Sequence, residues 1–282
     1  STNRHSEEAA LSGRLFFCAQ YLTRSAHMGK YEGYLIATDF DGTFAGPGAV
    51  ISRENSLAIR RFQAGGGLFT IASGRIPSFL AGYREDFVAN APLICTNGTV
   101  ICDQNSLKIL HCMTFGEEID GFVRYLYERG DVDQLLVSGP DADKIWLEPR
   151  KVPFSPALLA NVPKPWCRLL CVQSPERTLA LRDEMLARFG NRYEFNRSWD
   201  EGLEVIPRHS GKGACLTWIR KYLGDRVHTT IGVGDYENDL TLIRDADIGC
   251  AVGNAIDECK QAADRVIVPN TEHAIAAIIE SI

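Results

Sequence analysis

The apolar run Leu35-Ile-Ala37 leads directly into Asp39-Phe-Asp-Gly-Thr43. A strand without polar alternation is buried on both faces, the condition of an interior strand in a parallel sheet. Such a sheet has to be covered by helices on both sides. Its chemistry then collects just beyond the carboxyl ends of the strands. Far downstream, a second apolar run at residues 229–234 ends in Gly234-Asp-Tyr-Glu-Asn-Asp239. Two strand ends bearing paired carboxylates can build one pocket for a hard divalent cation, which prefers oxygen ligands.

The rest of the chain keeps the strand–helix rhythm that this start demands. Strands are expected at residues 34–40, 68–72, 92–96, 229–234, 249–252 and 265–268. Ser52 is placed to cap a helix running to Ala64, with Leu57, Ile59 and Phe62 toward the core, and Gly65-Gly-Gly67 stops it. A helix after Ser73-Gly-Arg75 would carry Pro77 in its first turn. Further helices are expected after Gly211, Asn238, Ala255 and Glu272. Residues 99–102 and 107–113 read as a hairpin around Asp103-Gln-Asn-Ser106. Residues 114–206 break the rhythm and gather Pro149, Pro153, Pro156, Pro163 and Pro165. They read as an inserted α+β domain, leaving residues 28–113 and 207–282 as a doubly wound parallel α/β core. Residues 1–27 are set aside as an extension or a vector-derived segment, although Leu11, Leu15, Phe16 and Leu22 could line one face of a short helix.

Bulk properties narrow the function classes. A chain of 282 residues with 45% hydrophobic and 23% charged residues is ordinary globular protein. Its formal charge of −6 argues against a nucleic-acid-binding face. No apolar run approaches the roughly 18 residues of a membrane span. Nine cysteines, an odd number scattered partly through apolar runs, point to reduced thiols and a cytoplasmic setting. Cys167 and Cys171 lack a second pair at zinc spacing and read as buried structural thiols. The histidines show no metal-binding spacing. Ser73 lacks the G-x-S-x-G elbow, and Ser210-Gly-Lys212 lacks the upstream glycine of a P-loop.

Each candidate residue has a plain structural role beside its chemical one. An Asp-x-Asp at a strand end also makes turns and caps. Ser73 could simply cap a helix, or hold a phosphate oxygen through its hydroxyl. Asp235 could cap a helix, coordinate a cation, or do both. Asp239 could bind the cation or orient its ligands. Lys212, alone, would be a surface lysine; at a helix start facing carboxylates it could neutralise phosphate.

Taken in order, Asp39-Phe-Asp-Gly-Thr43, Ser73-Gly-Arg75, Lys212 and Gly234-Asp-Tyr-Glu-Asn-Asp239 resemble the four motifs of the haloacid dehalogenase-like (HAD) superfamily of phosphatases. The long insertion resembles its type IIB cap, so the match is to Cof-type hydrolases. Asn97-Gly98, Gly253-Asn-Ala255 and Ala263-Asp264 add to the likeness. The resemblance implies Asp39 as nucleophile and Mg²⁺ ligand. It implies Asp41 as general acid/base, with its backbone carbonyl on the metal. It implies Thr43, Ser73, Gly74 and Asn238 around the phosphate, Lys212 as charge neutraliser, and Asp235 and Asp239 at the metal. Arg75 is the candidate for contacting the leaving group. Phe44 stands where the family usually has leucine, and Tyr236 replaces a small residue and narrows the pocket. The expected substrate is a small phosphorylated metabolite, sugar phosphates first, with flavin- or pyridoxal-type phosphates behind. Two alternatives stay open: a phosphotransferase or phosphomutase using the same aspartyl-phosphate, and a non-catalytic binder of phosphometabolites. Among cap residues, Trp146, Trp166, Arg168, Trp199 and Glu204 are in reach of the site, and the tryptophans are expected to pack in the core.

Overall fold

A computed structural model describes residues 29–140, 144–160 and 162–282. The extension at 1–27, with its expected short helix, lies outside the described residues. The first strand, β1 (Gly33–Thr38), sits inside a five-stranded parallel sheet. Its neighbours are β2 (Leu68–Ile71) on one side and β11 (Val227–Gly234) on the other; β12 (Ile248–Ala251) and β13 (Arg265–Val266) extend the sheet beyond β11. Alternate residues of β1 enter two different cores. Ile36 packs with Ile59, Phe62 and Ile275, whereas Leu35 and Ala37 pack with Leu216, Ile219 and Leu242. Both faces are therefore covered, as an unalternated apolar strand requires.

The covering helices follow local sequence rules. Ser52 accepts from the Asn55 amide at 3.2 Å and so caps α1 (Arg53–Ala64). The buried face of α1 is Asn55, Ala58, Ile59 and Phe62. Leu57, expected in that core, is instead 42% exposed. It lies two residues from both Asn55 and Ile59, about 200° around the helix, on the opposite side. Asn55 belongs to the core because its amide serves two partners. It donates to the Phe44 carbonyl and accepts from the Ala276 amide of α8 (Ala274–Glu280).

One expected strand of the parallel sheet pairs differently. Residues 93–95 form β3 (Leu93–Cys95), which joins β4 (Val100–Cys102) and β5 (Ile109–Cys112) in an antiparallel three-stranded sheet. It touches the β2 edge through a single parallel bridge, Ala72 to Ile94. The β4–β5 hairpin turns at Asp103, whose Oδ1 accepts from Asn105 and Ser106, as its sequence requires.

Residues from the insertion form a second, antiparallel sheet in the order β7-β6-β8-β10-β9. Its strands are β6 (Gln134–Ser138), β7 (Lys144–Leu147), β8 (Arg168–Val172), β9 (Tyr193–Trp199) and β10 (Gly202–Pro207). The helices α3 (Ile119–Glu128) and α4 (Pro175–Phe189) cover one face. Phe122, Leu126, Leu181 and Met185 meet Leu135, Val137, Leu169 and Val205 there. By the two-residue period of a strand, Leu136, Arg168, Leu170 and Glu204 point to the other face.

Phe44 anchors the core beneath the first acidic loop. Its ring lies 5.6 Å from Phe69 and 5.3 Å from Phe87, both near edge-on. Phe44→Ala is expected to cost about 3–5 kcal/mol, against a much smaller loss for Phe44→Leu. A urea midpoint for the alanine variant close to that of the parent would contradict this packing.

Candidate active site

The two acidic loops meet at the carboxyl ends of β1 and β11. Asp39 extends β1, and its amide donates to the Val233 carbonyl at 2.8 Å. Gly42 turns the chain with φ +86°, and a Cβ there would come within 2.6 Å of Asp235 Oδ2. Only glycine lets the two loops approach so closely. Thr43 completes the contact, donating from its hydroxyl to Asp235 Oδ1 at 2.5 Å. Asp39, Asp235 and Asp239 each offer an oxygen, and these oxygens lie within 4.8 Å of one another.

Lys212 opens α5 (Lys212–Leu223) and reaches into this cluster. Its Nζ lies 2.6 Å from Asp39 Oδ1 and 2.5 Å from Asp239 Oδ1, with the side chain fully buried. The close packing of Gly98 against Gly211 sets where that helix starts. A Cβ on Gly98, whose φ is +84°, would fall 2.0 Å from the Gly211 carbonyl carbon. Asp239 spends its second oxygen on the amides of Asp235 and Tyr236, at 3.0 and 3.1 Å. Both its oxygens are thus engaged by protein, so it braces the loop more than it faces the cavity.

Burial first, and charge second, set the protonation behaviour. Burial pushes the Asp39 carboxyl up, and the Lys212 ammonium pulls against that. Burial, then the charge of Asp239, raises Asp235 to about 7. Burial would lower Lys212, but the charges of Asp239 and Asp39 outweigh it and hold the ammonium above its ordinary value. Three carboxyl groups meet one ammonium there, and an all-oxygen donor set of that kind fits a hard divalent cation such as Mg²⁺.

Asp41 stands apart from the cluster. Its two oxygens receive Arg75 Nε and Nη2, each at 2.9 Å, in a bidentate pair. The Arg75 guanidinium lies 4.4 Å from the Phe79 ring centroid, which fixes its plane. Ser73 is fully buried, and its hydroxyl accepts from the Arg75 amide at 3.1 Å. Asn238 donates to Asn97 Oδ1 at 3.0 Å, while its own Oδ1 is buried without a partner.

These groups line or underlie a cavity of about 820 Å³ roofed by the second sheet. Asp39, Asp41, Gly74, Arg75, Asp235, Asn238 and Asp239 reach its wall, whereas Thr43, Ser73 and Lys212 lie behind it. The roof is one row across the register, with Trp146 beside Leu136, Leu136 beside Leu170, and Leu170 beside Glu204. The tryptophans divide. Trp166 is buried as expected, but Trp146 and Trp199 are 46% and 40% exposed and line the cavity. Trp146 lies on the sheet face opposite the covering helices, and Trp199 ends β9 at the mouth, so neither enters the core. Tyr236 lines the cavity as well, and its hydroxyl lies 2.5 Å from Asp200.

Sequence reasoning missed the contacts that join the roof to the floor. Arg168 donates to the Gly74 carbonyl at 2.9 Å, and Asn97 donates to Ser198 at 2.9 Å. Glu237, between the two acidic residues of its loop, is paired with both Arg182 and Arg197 of the inserted segment. Their only signal was a charged residue inside an otherwise legible motif.

Comparisons with known proteins agree with this geometry. A family model described as haloacid dehalogenase-like hydrolase matches residues 36–279. The 5-amino-6-(5-phospho-D-ribitylamino)uracil phosphatase YcsE of Bacillus subtilis is 26% identical over 252 residues, covering 87% of this chain and 94% of that protein. The pyridoxal phosphate phosphatase YbhA of Escherichia coli is 25% identical over 275 residues, covering 88% and 97%. Among solved structures, a haloacid dehalogenase-like hydrolase from Bacteroides thetaiotaomicron superposes with a TM-score of 0.70 at 24% identity, covering 89% of this chain and 99% of that one. A HAD subclass IIB sugar phosphatase gives 0.71 at 20% identity, covering 88% and 98%. With paired acidic loops on a doubly wound sheet, a lysine between them and an inserted antiparallel roof, the chain belongs to the haloacid dehalogenase-like hydrolases, of the Cof type.

Proposed function

We propose that this chain is a Mg²⁺-dependent phosphatase that hydrolyses small phosphorylated metabolites, sugar phosphates first, through an aspartyl-phosphate. The observation that carries this reading is the buried cluster of Asp39, Asp235 and Asp239 with Lys212 between two of its members. Asp39 and Asp235, with the backbone carbonyl of Asp41, would hold the metal, and Asp239 would support them. When bound, the metal would offset the charge of carboxylate and phosphate at close range. Residues 28–113 and 207–282 are assigned to the catalytic core and residues 114–206 to the cap, with crossings near 113 and 207. The odd number of cysteines, scattered partly through apolar runs, supports a cytoplasmic setting.

The chain's own groups then divide the work. Lys212 occupies Asp39 Oδ1, which leaves Oδ2 to attack phosphorus. The new bond joins that oxygen to phosphorus as the bond to the leaving oxygen breaks. Asp41 gives its proton to that departing oxygen. A water molecule, losing a proton to Asp41, then attacks phosphorus and restores the Asp39 carboxylate. Lys212 pulls Asp39 toward its ionised form against the burial that raises it, and Asn238 and the amides near Gly74 would steady phosphate oxygens. Arg75 holds both oxygens of Asp41 in this structure and has to release one before that carboxyl carries the proton for the leaving oxygen. The roof excludes bulk water from the intermediate.

Asp39→Asn is expected to abolish phosphate release from p-nitrophenyl phosphate while keeping the parent's circular dichroism and melting temperature. Normal turnover by that variant would refute the nucleophile. Asp41→Asn should lower kcat by about 10²–10⁴-fold, the usual worth of a positioned acid/base. EDTA should silence the enzyme and Mg²⁺ restore it. Independently of activity, Mg²⁺ should raise the melting temperature of the parent by binding only the folded state, and raise that of Asp235→Asn much less. Equal shifts in the two proteins would remove Asp235 from the metal site.

A further inference from the structure

Three consecutive residues of the β3–β4 turn, Thr96, Asn97 and Gly98, take left-handed backbone, with φ of +53°, +54° and +84°. Glycine adopts it freely and asparagine tolerates it, but for the β-branched Thr96 it is strained. The loop after β2 holds the turn in place. The Thr96 amide donates to the Arg75 carbonyl at 3.1 Å, and the Asn97 amide to the Ser73 carbonyl at 3.0 Å. Strain that the surroundings maintain clusters where function needs one geometry.

What this turn presents is the side-chain amide of Asn97. It is buried at the cavity wall and touches three parts of the site. A Cβ on Gly74 would lie 3.0 Å from both its nitrogen and its oxygen, so it rests on bare Gly74 backbone. Its Nδ2 donates to Ser198 of the roof at 2.9 Å, and its Oδ1 accepts from Asn238 at 3.0 Å. Beyond Ser198 the chain of bonds ends at Glu204, whose Oε1 accepts from the serine hydroxyl at 3.1 Å.

Such a chain has a direction. As a carboxylate Glu204 only accepts, so the Ser198 hydroxyl donates to it and takes its own bond from Asn97 Nδ2. Asn97 must then turn Oδ1 toward Asn238, and Asn238 must answer with Nδ2. An amide nitrogen carries two hydrogens. One goes to Asn97, which leaves the other for a phosphate oxygen in the cavity that Asn238 lines. Turned over, the same amide would aim carbonyl lone pairs at an anion. Among the described residues nothing donates to Asn238 Oδ1, so the bond to Asn97 selects the face. We infer that Asn97 is a positioning residue, which makes Asn238 a donor to the phosphate and does so in step with the roof through Ser198. This rests on the phosphatase reading above and deepens it.

A double-mutant cycle on p-nitrophenyl phosphate with Mg²⁺ tests it. Asn97→Gly keeps the left-handed backbone and removes the amide. It should lower kcat/KM about tenfold or more, as should Asn238→Ala. Together the two changes should be no worse than Asn238→Ala alone, within about threefold, because Asn97 acts through Asn238. A turn that served only to seat α5 or fasten the roof would give losses that multiply, to about a hundredfold or more. Ser198→Ala should lower kcat/KM in the parent and do nothing further in Asn97→Gly. Multiplying losses, or an Asn238→Ala variant as active as the parent, overturn the assignment. A Ser198→Ala effect that persists in Asn97→Gly overturns the link to the roof. If Asn97→Gly does not fold, Ser198→Ala against Asn238→Ala makes the same cycle with the same outcomes. If Asn238→Ala turns over too slowly to follow, the cycle is read on the Kd of inorganic phosphate, by calorimetry with Mg²⁺. A parent inactive on p-nitrophenyl phosphate would overturn the phosphatase reading instead, and this inference with it.

Discussion

The contact on which the rest depends is Lys212 held between Asp39 and Asp239. It ties the first strand of the core to the last helix-bearing half of the chain, across 173 residues of sequence. Taking such charges out of water is expensive, and their attraction only roughly repays it. Stability is therefore a poor reason for the arrangement. A better reason is electrostatic: burial pushes the Asp39 carboxyl up, and the Lys212 ammonium pulls against that. Burial, and then the charge of Asp239, raises the neighbouring Asp235 carboxyl to about 7. The protein has prepared a place for further positive charge.

Several constraints hold that contact in register. Gly42 brings the Asp41 loop against Asp235, and Gly98 brings the β3–β4 turn against the start of α5. Asp239 folds back on the amides of its own loop, so its spare oxygen can point only toward Lys212. Thr43 pins Asp235 from the opposite strand end. Each link is short and local, yet together they fix groups from both halves of the chain to within hydrogen-bond distance.

How much of this was legible depended on whether one face or two faces of an element carried information. The strand at β1 and the helix at α1 were readable because burial and capping leave distinct residue patterns. Leu57 misled because an apolar residue on the wrong side of a helix looks the same in sequence as one on the right side. Strand β3 misled because a short apolar run says nothing about its partners. The acidic loops and Lys212 were readable as spaced motifs. The roof was not. Leu135-Leu-Val137 and Leu169-Leu-Cys171 show no alternation, since one face meets helices and the other meets the cavity, and both want apolar groups. Trp146 and Trp199 were lost in the same way, as large apolar residues whose exposure only the register reveals.

The join between roof and floor shows why insertion and core act as one site. Glu237 lies between Asp235 and Asp239, and its carboxylate receives Arg197 from β9 and Arg182 from α4. The backbone amide of Arg197 bonds its other oxygen at 3.1 Å. Any opening of the roof must pull on this carboxylate or break its pairing with both arginines, and it sits one residue from Asn238 and two from Asp239. Arg168 makes a second join through the Gly74 carbonyl, beside the Arg75 that holds Asp41. The roof is thus fastened to both loops that carry the acidic groups.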